Sequence, residues 1–180
     1  MVDLIRKIYA RQYAASLKML DNCIRQCDED KWTAVIGQAA FWHVVYHTLF
    51  FTDLYLSPTH GDFVAPKFHR RQAQGFGKLA RKFDPYSRPL LRKYLSHCMR
   101  KASAVLAEET EETLLGESGF VWTVSSRAEL HIYNIRHIQH HTGQLNAFLV
   151  REMGKAPPWV GSLRLGRAKR KAIKALAGKS

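Results

Sequence analysis

Cysteine is scarce and odd in number, with Cys23, Cys27 and Cys98 the only three in the chain. That set builds no disulfide framework, and Cys23 and Cys27 lie one helical turn apart, outside any CxxC pattern. A reducing, cytoplasmic setting is the expectation. Also missing is any run of 18 uncharged apolar residues, and the N-terminal MVDLIRKIYARQ places charges where a signal peptide needs its apolar stretch. Neither membrane insertion nor secretion is indicated. Several chemical signatures are absent as well. There is no HExxH of a zinc protease, no phosphate-binding P-loop, no GxSxG nucleophile turn and no GxGxxG dinucleotide fingerprint. The Glu-x-x-His pairs of a ferritin-like di-metal centre are missing too.

What is present fits one globular domain. The chain has 180 residues and 46% hydrophobic content, enough to bury a core. Its formal charge of +13 is unevenly spread. Residues 67–101 carry 11 basic side chains and one acid, Asp84, and residues 161–180 carry 7 basic side chains and none. Those two segments sum to +17, so the remainder stands at −4. Such basicity can attract nucleic acid or another polyanion by counterion release. It equally suits a solvated surface and tail, the preferred reading, because neither segment interleaves the aromatics of a single-strand groove.

Apolar periodicity predicts four long helices. The first covers residues 2–27, with Ile5, Ile8, Leu17, Leu20, Ile24 and Cys27 at helical spacing until DEDKW breaks the pattern. The second runs from about Gln38 to Leu56, apolar nearly all round, and stops at Ser57-Pro58. Residues 57–87 hold three prolines and three glycines with no sustained period, which predicts a long crossover. A bundle with two parallel neighbours requires one. The third helix starts near Ser87 with Pro89 in its first turn and fades into EETEET. FVWTV, at 120–124, is expected to be a short extended piece. The last helix opens with Ser126-x-x-Glu129, a capping-box spacing, and ends at Gly154 before Pro157-Pro158. Residues 1–160 thus read as one bundle and residues 161–180 as a basic C-terminal tail.

The chemistry-bearing residues are histidines in two of these helices. His137 and His141 lie four apart, which projects both imidazoles from one face about 6 Å apart along the axis. On a wheel they fall in the middle of the stripe formed by Leu130, Tyr133, Leu145 and Phe148. His140 falls at its rim, and His131 is expected to point further away. The second helix repeats the spacing with His43 and His47, on the face of Ala40, Phe50 and Leu54. Histidines from two apolar stripes can meet inside a bundle, either as hydrogen-bonded core residues or, as three neutral imidazoles with an open position, as a divalent-metal site. Asp53, off that face, is expected to be solvated, Glu129 to serve the cap, and Cys98 to be core.

The segment RHIQHHTGQLNAFLVRE resembles the last-helix signature of the DinB-like superfamily, written H-x-x-x-H-R-G-Q, and WHVVYHTLFFTDLYL resembles its second-helix motif. The resemblance implies an all-α four-helix bundle of up-down-down-up order with a long crossover between the second and third helices. It implies a divalent metal, nickel or zinc, on His47, His137 and His141, with His43, Tyr46, Tyr133, His140 and Gln144 as outer support or substrate contacts. A homodimer is implied too, and so is a metal-dependent enzyme, a thiol S-transferase or hydrolase taking a bacillithiol- or mycothiol-like small thiol and an electrophile. Thr142 stands where the family pattern has Arg. The competing expectations are a non-enzymatic basic bundle that binds polyanions and a member with only a structural metal.

Overall fold

The computed structural model describes residues 1–76 and 84–161 of the chain. Its regular elements there are α1 (Val2–Gln26), β1 (Val35–Ile36), β2 (Ala39–Ala40), α2 (Phe41–Tyr55), α3 (Arg88–Glu108), α4 (Glu111–Leu115) and α5 (Arg127–Met153). Single 3₁₀ turns sit at Glu29–Lys31 and Arg71–Ala73.

Local chemistry sets most of the boundaries. At α3 the Ser87 hydroxyl accepts the Leu90 amide, and Pro89 sits in the first turn, where no amide donor is needed. At α5 the Ser126 hydroxyl accepts the Glu129 amide, while Gly154 closes the far end in the left-handed conformation (φ 60°). Three expectations need correction. Helix α2 starts at Phe41 instead of Gln38, because residues 35–40 fold into an antiparallel hairpin pairing Val35 with Ala40. EETEET does not fade out: Thr110 and Thr113 form a complete capping box that opens α4. Residues 120–124 form a turn, and the nearby bridge joins Glu117 to Ser126.

Cross-helix contacts fix the directions. Along α1, Tyr9, Tyr13 and Cys23 meet Ala128, His131 and Thr142 of α5 in order, so these two helices run parallel. Phe41, His47 and Thr52 of α2 meet Phe148, His137 and Asn134, so α2 runs against α5. Leu49 and Asp53 meet Cys98 and Lys101, making α2 and α3 parallel, while Arg6 and Asp21 meet Leu106 and Arg92, setting α1 against α3. The order is up-down-down-up, and the long segment between α2 and α3 is what parallel neighbours demand. The core joins Leu17, Leu20, Leu49, Leu91, Leu130 and Leu145, all fully buried. Each such side chain contributes roughly 1.5–3 kcal/mol. Helix α2 is buried along its whole length except at two partly exposed positions, His47 and Phe51.

Two buried polar knots tie the helices together, and sequence reading placed neither. His131, expected to point away, is buried: its Nε2 donates to Glu109 at 3.0 Å, and Tyr13 donates to its Nδ1 at 3.2 Å. Arg127 pairs with the same carboxylate at 2.9 Å and donates to the Tyr55 and Ser57 carbonyls, capping the exit of α2. Burial pulls the Glu109 carboxyl upward, but hydrogen bonds from His131, Thr113 and Arg127 outweigh it and hold the group at about 2. Asp53, expected to be solvated, is also buried. Its carboxylate accepts from Tyr94 at 2.9 Å and Lys101 at 2.7 Å, with His97 at 3.3 Å.

Candidate metal centre

Helix α2 supplies one histidine to the centre and α5 supplies two. His137 and His141 sit one turn apart on the side of α5 that meets α2, and the opposed direction of α2 brings His47 level with both. One nitrogen from each ring lies within 4.8 Å of the others. The Nε2 atoms of His47 and His137 are 3.4 Å apart. That separation suits two nitrogens sharing one tetrahedral ion, since bonds of about 2.0–2.1 Å imply an edge of about 3.3 Å.

The ring partners decide which nitrogens face inward. His47 Nδ1 donates to the Gln74 carbonyl at 2.6 Å, which leaves its Nε2 as a lone pair. His141 Nδ1 donates to Gln144 Oε1 at 2.9 Å, freeing Nε2 in the same way. His137 Nδ1 is buried without a partner. If Nδ1 carries the proton, two lone pairs confront each other across 3.4 Å; if Nε2 carries it, Nδ1 is an unmet acceptor. A cation between the Nε2 atoms removes the opposition of lone pairs and fixes the His137 proton on Nδ1, so the donor set fits a metal. Burial lowers His47 to about 4 and His137 to about 2, with neighbouring imidazoles pushing the same way, and burial lowers His141. All three rings are therefore neutral near pH 7, the form that binds metal.

The other candidate residues divide. Gln144 belongs to the centre: besides orienting His141, its amide nitrogen donates to His140 Nε2 at 3.3 Å. His140 is exposed and stacks edge-on against His141. His43 is not among the clustered nitrogens, because its Nε2 bonds the Ala73 carbonyl at 2.7 Å. Two consecutive crossover carbonyls are thus held by two α2 histidines one turn apart. Tyr46 is turned toward α3 and the crossover, where its hydroxyl bonds His69 and its ring packs on Tyr86. Tyr133 is linked to the centre through Tyr55, whose ring touches both Tyr133 and His137. Thr142 is buried with its hydroxyl unpartnered and its carbonyl accepting from Cys23 on α1, and it contributes no atom to the cluster.

Sequence reading missed Phe76. Its ring lies 4.2 Å from His47 and 5.6 Å from His141, covering one flank of the centre. It stands in an aperiodic loop, so no pattern pointed to it. Phe51, 4.7 Å from His47, was visible only as part of an apolar run. The basic stretch is partly absorbed: Arg88, Arg92 and Lys101 pair with Glu29, Asp21 and Asp53. Lys78, Arg81, Lys82 and the tail beyond Gly161 lie outside the described residues. No described helix is long and apolar enough to cross a membrane.

No curated protein and no solved structure matches the chain. The model of the DinB family matches residues 6–172, taking in the α2 and α5 histidines and the crossover between them. With helix order, histidine placement and this match in agreement, the chain belongs to the DinB family.

Proposed function

We propose that the protein is a metal-dependent enzyme of the DinB type in which His47, His137 and His141 hold nickel or zinc. The observation that carries the reading is the convergence of three imidazole nitrogens within 4.8 Å, with the His47 and His137 Nε2 atoms 3.4 Å apart. A bound ion would act as a Lewis acid, lowering the pKa of a coordinated thiol or water into the neutral range. Three neutral ligands preserve the full charge of the ion and leave a position for such a group.

The side chains around it would act as holders. Gln74 and Gln144 fix the rings of His47 and His141 by accepting from their Nδ1 atoms. Phe76 covers the flank formed by His47 and His141, and Phe51 lines the side that is partly exposed. The reaction class we favour is transfer of a small thiol to an electrophile, or hydrolysis, in a cytoplasmic homodimer. Among the described residues no carboxylate joins the three-histidine cluster to serve as a base, so the proton leaving the thiol would pass to solvent.

The reading is tested by loading the purified protein with zinc or nickel and titrating a small thiol. A thiolate-to-nickel charge-transfer band that saturates with thiol and is lost in His137→Ala supports it. Full occupancy by metal with no spectral response to any thiol contradicts the transferase and leaves a structural ion.

A further inference from the structure

From the mouth of the three-histidine centre we infer that the protein takes a small organic ligand with an apolar body and a carboxylate, and that Arg136 engages the carboxylate. This rests on the metal reading for the position of the ligand's reactive end, and goes beyond it in naming the ligand's charge and shape. The opening is defined by burial: along α2 only His47 and Phe51 are partly exposed, and on α5 His137 and Tyr133 are partly exposed beside them. The walls of this opening are aromatic. Phe51 lies 4.7 Å from His47 and 5.7 Å from His137, and Tyr55 stands 6.3 Å from His137 and 5.4 Å from Tyr133.

At the far edge of that aromatic wall, Arg136 folds back over Tyr133 with its guanidinium carbon 5.5 Å from the ring centroid. Stacking of this kind orients the planar fork and leaves its N–H edge for an anion. Arg136 makes no ion pair among the described residues. The two acids of α5, Glu129 and Glu152, lie two or more turns from it, and Glu152 pairs with Arg151. The one acid of α2, Asp53, is committed to α3. The mouth therefore combines an exposed cation stacked on an apolar wall with no acid of α2 or α5 paired to it. A carboxylate there gains a two-pronged, charge-assisted contact, while a neutral ligand of the same length gains only the wall.

The test compares 3-mercaptopropionate with 2-mercaptoethanol as ligands of the zinc-loaded protein, by isothermal titration, in wild type, Arg136→Gln and Arg136→Lys. Metal content is measured on each sample. The inference expects wild type to prefer the carboxylate, Arg136→Gln to bind it about tenfold more weakly with 2-mercaptoethanol unchanged, and Arg136→Lys to recover part of the difference. Equal affinity of wild type for both thiols, no binding of either, or an equal loss for both in Arg136→Gln overturns it. Metal retained in every sample alongside such a result confines the failure to the anion. Protein that takes up no metal defeats the metal reading instead, and the effect of Arg136→Gln on 3-mercaptopropionate still decides the anion.

Discussion

Two histidine neighbourhoods stand six residues apart on α5, and they solve the burial of imidazole in opposite ways. Around His131, every nitrogen is answered: Glu109 takes Nε2–H, Tyr13 donates to Nδ1, and Arg127 balances the carboxylate. Around His137, no carboxylate is present, one nitrogen has no partner and another faces a second Nε2. The first arrangement is complete as it stands and leaves nothing for a ligand to add. The second leaves imidazole lone pairs that a cation can take, and it opens to solvent beside Phe51. The number of histidines does not separate a core from a site; the balance of donors and acceptors does.

Substitutions sharpen that contrast. The largest effect is expected for His137→Ala and His141→Ala, which should reduce bound metal from near-stoichiometric to background in elemental analysis, while His131→Ala keeps the metal and loses stability. Near-stoichiometric metal in either ligand variant breaks the comparison. Next comes Glu109→Ala, which leaves Arg127 buried without its partner. A loss of about 3–5 kcal/mol is expected in urea unfolding, with metal still bound by the folded fraction. A loss below about 1 kcal/mol would mean that the knot is dispensable.

A third effect follows from pH. His47 and His137 are lowered in the folded state, to about 4 and about 2, below the ordinary value near 6.5. The unfolded chain therefore takes up protons first as pH falls. For metal-free protein, stability should be flat above about pH 6.5 and decline below it, each such ring adding a slope of about 1.4 kcal/mol per pH unit until it protonates in the folded state. Glu109, held at about 2, adds a further loss as pH falls through the carboxylate range near 4.5. Unfolding free energies unchanged from pH 7 to 5 would contradict this. The smallest effect concerns His43, which holds the carbonyl beside the one that orients His47. His43→Phe should weaken metal affinity about tenfold in competitive chelator titration without abolishing it. Loss as complete as in His137→Ala would make His43 a ligand.

Much of the scaffold was legible in the chain because its signals are local. Ser87 with Pro89, Ser126 and Gly154 mark helix ends through bonds made within a turn, and i,i+4 spacing alone put His137 and His141 on one face. His131 and Asp53 were misplaced for a shared reason. A wheel assigns one buried face to a helix, yet α5 packs on both α1 and α2, and α2 on both α3 and α5. A polar side chain pointing away from one neighbour is therefore buried against the other. Phe76 and the carbonyls of Ala73 and Gln74 were illegible because they come from an aperiodic loop positioned by long-range bonds to His43 and His47.

The central claim is that His47, His137 and His141 share one ion. X-ray absorption at the metal edge of the protein as purified, repeated on His47→Ala, addresses it most directly. The account predicts imidazole scattering from three nitrogens at about 2.0–2.1 Å, falling to two or disappearing with the metal in the variant. A metal environment lacking imidazole, or one unchanged by His47→Ala, would contradict it.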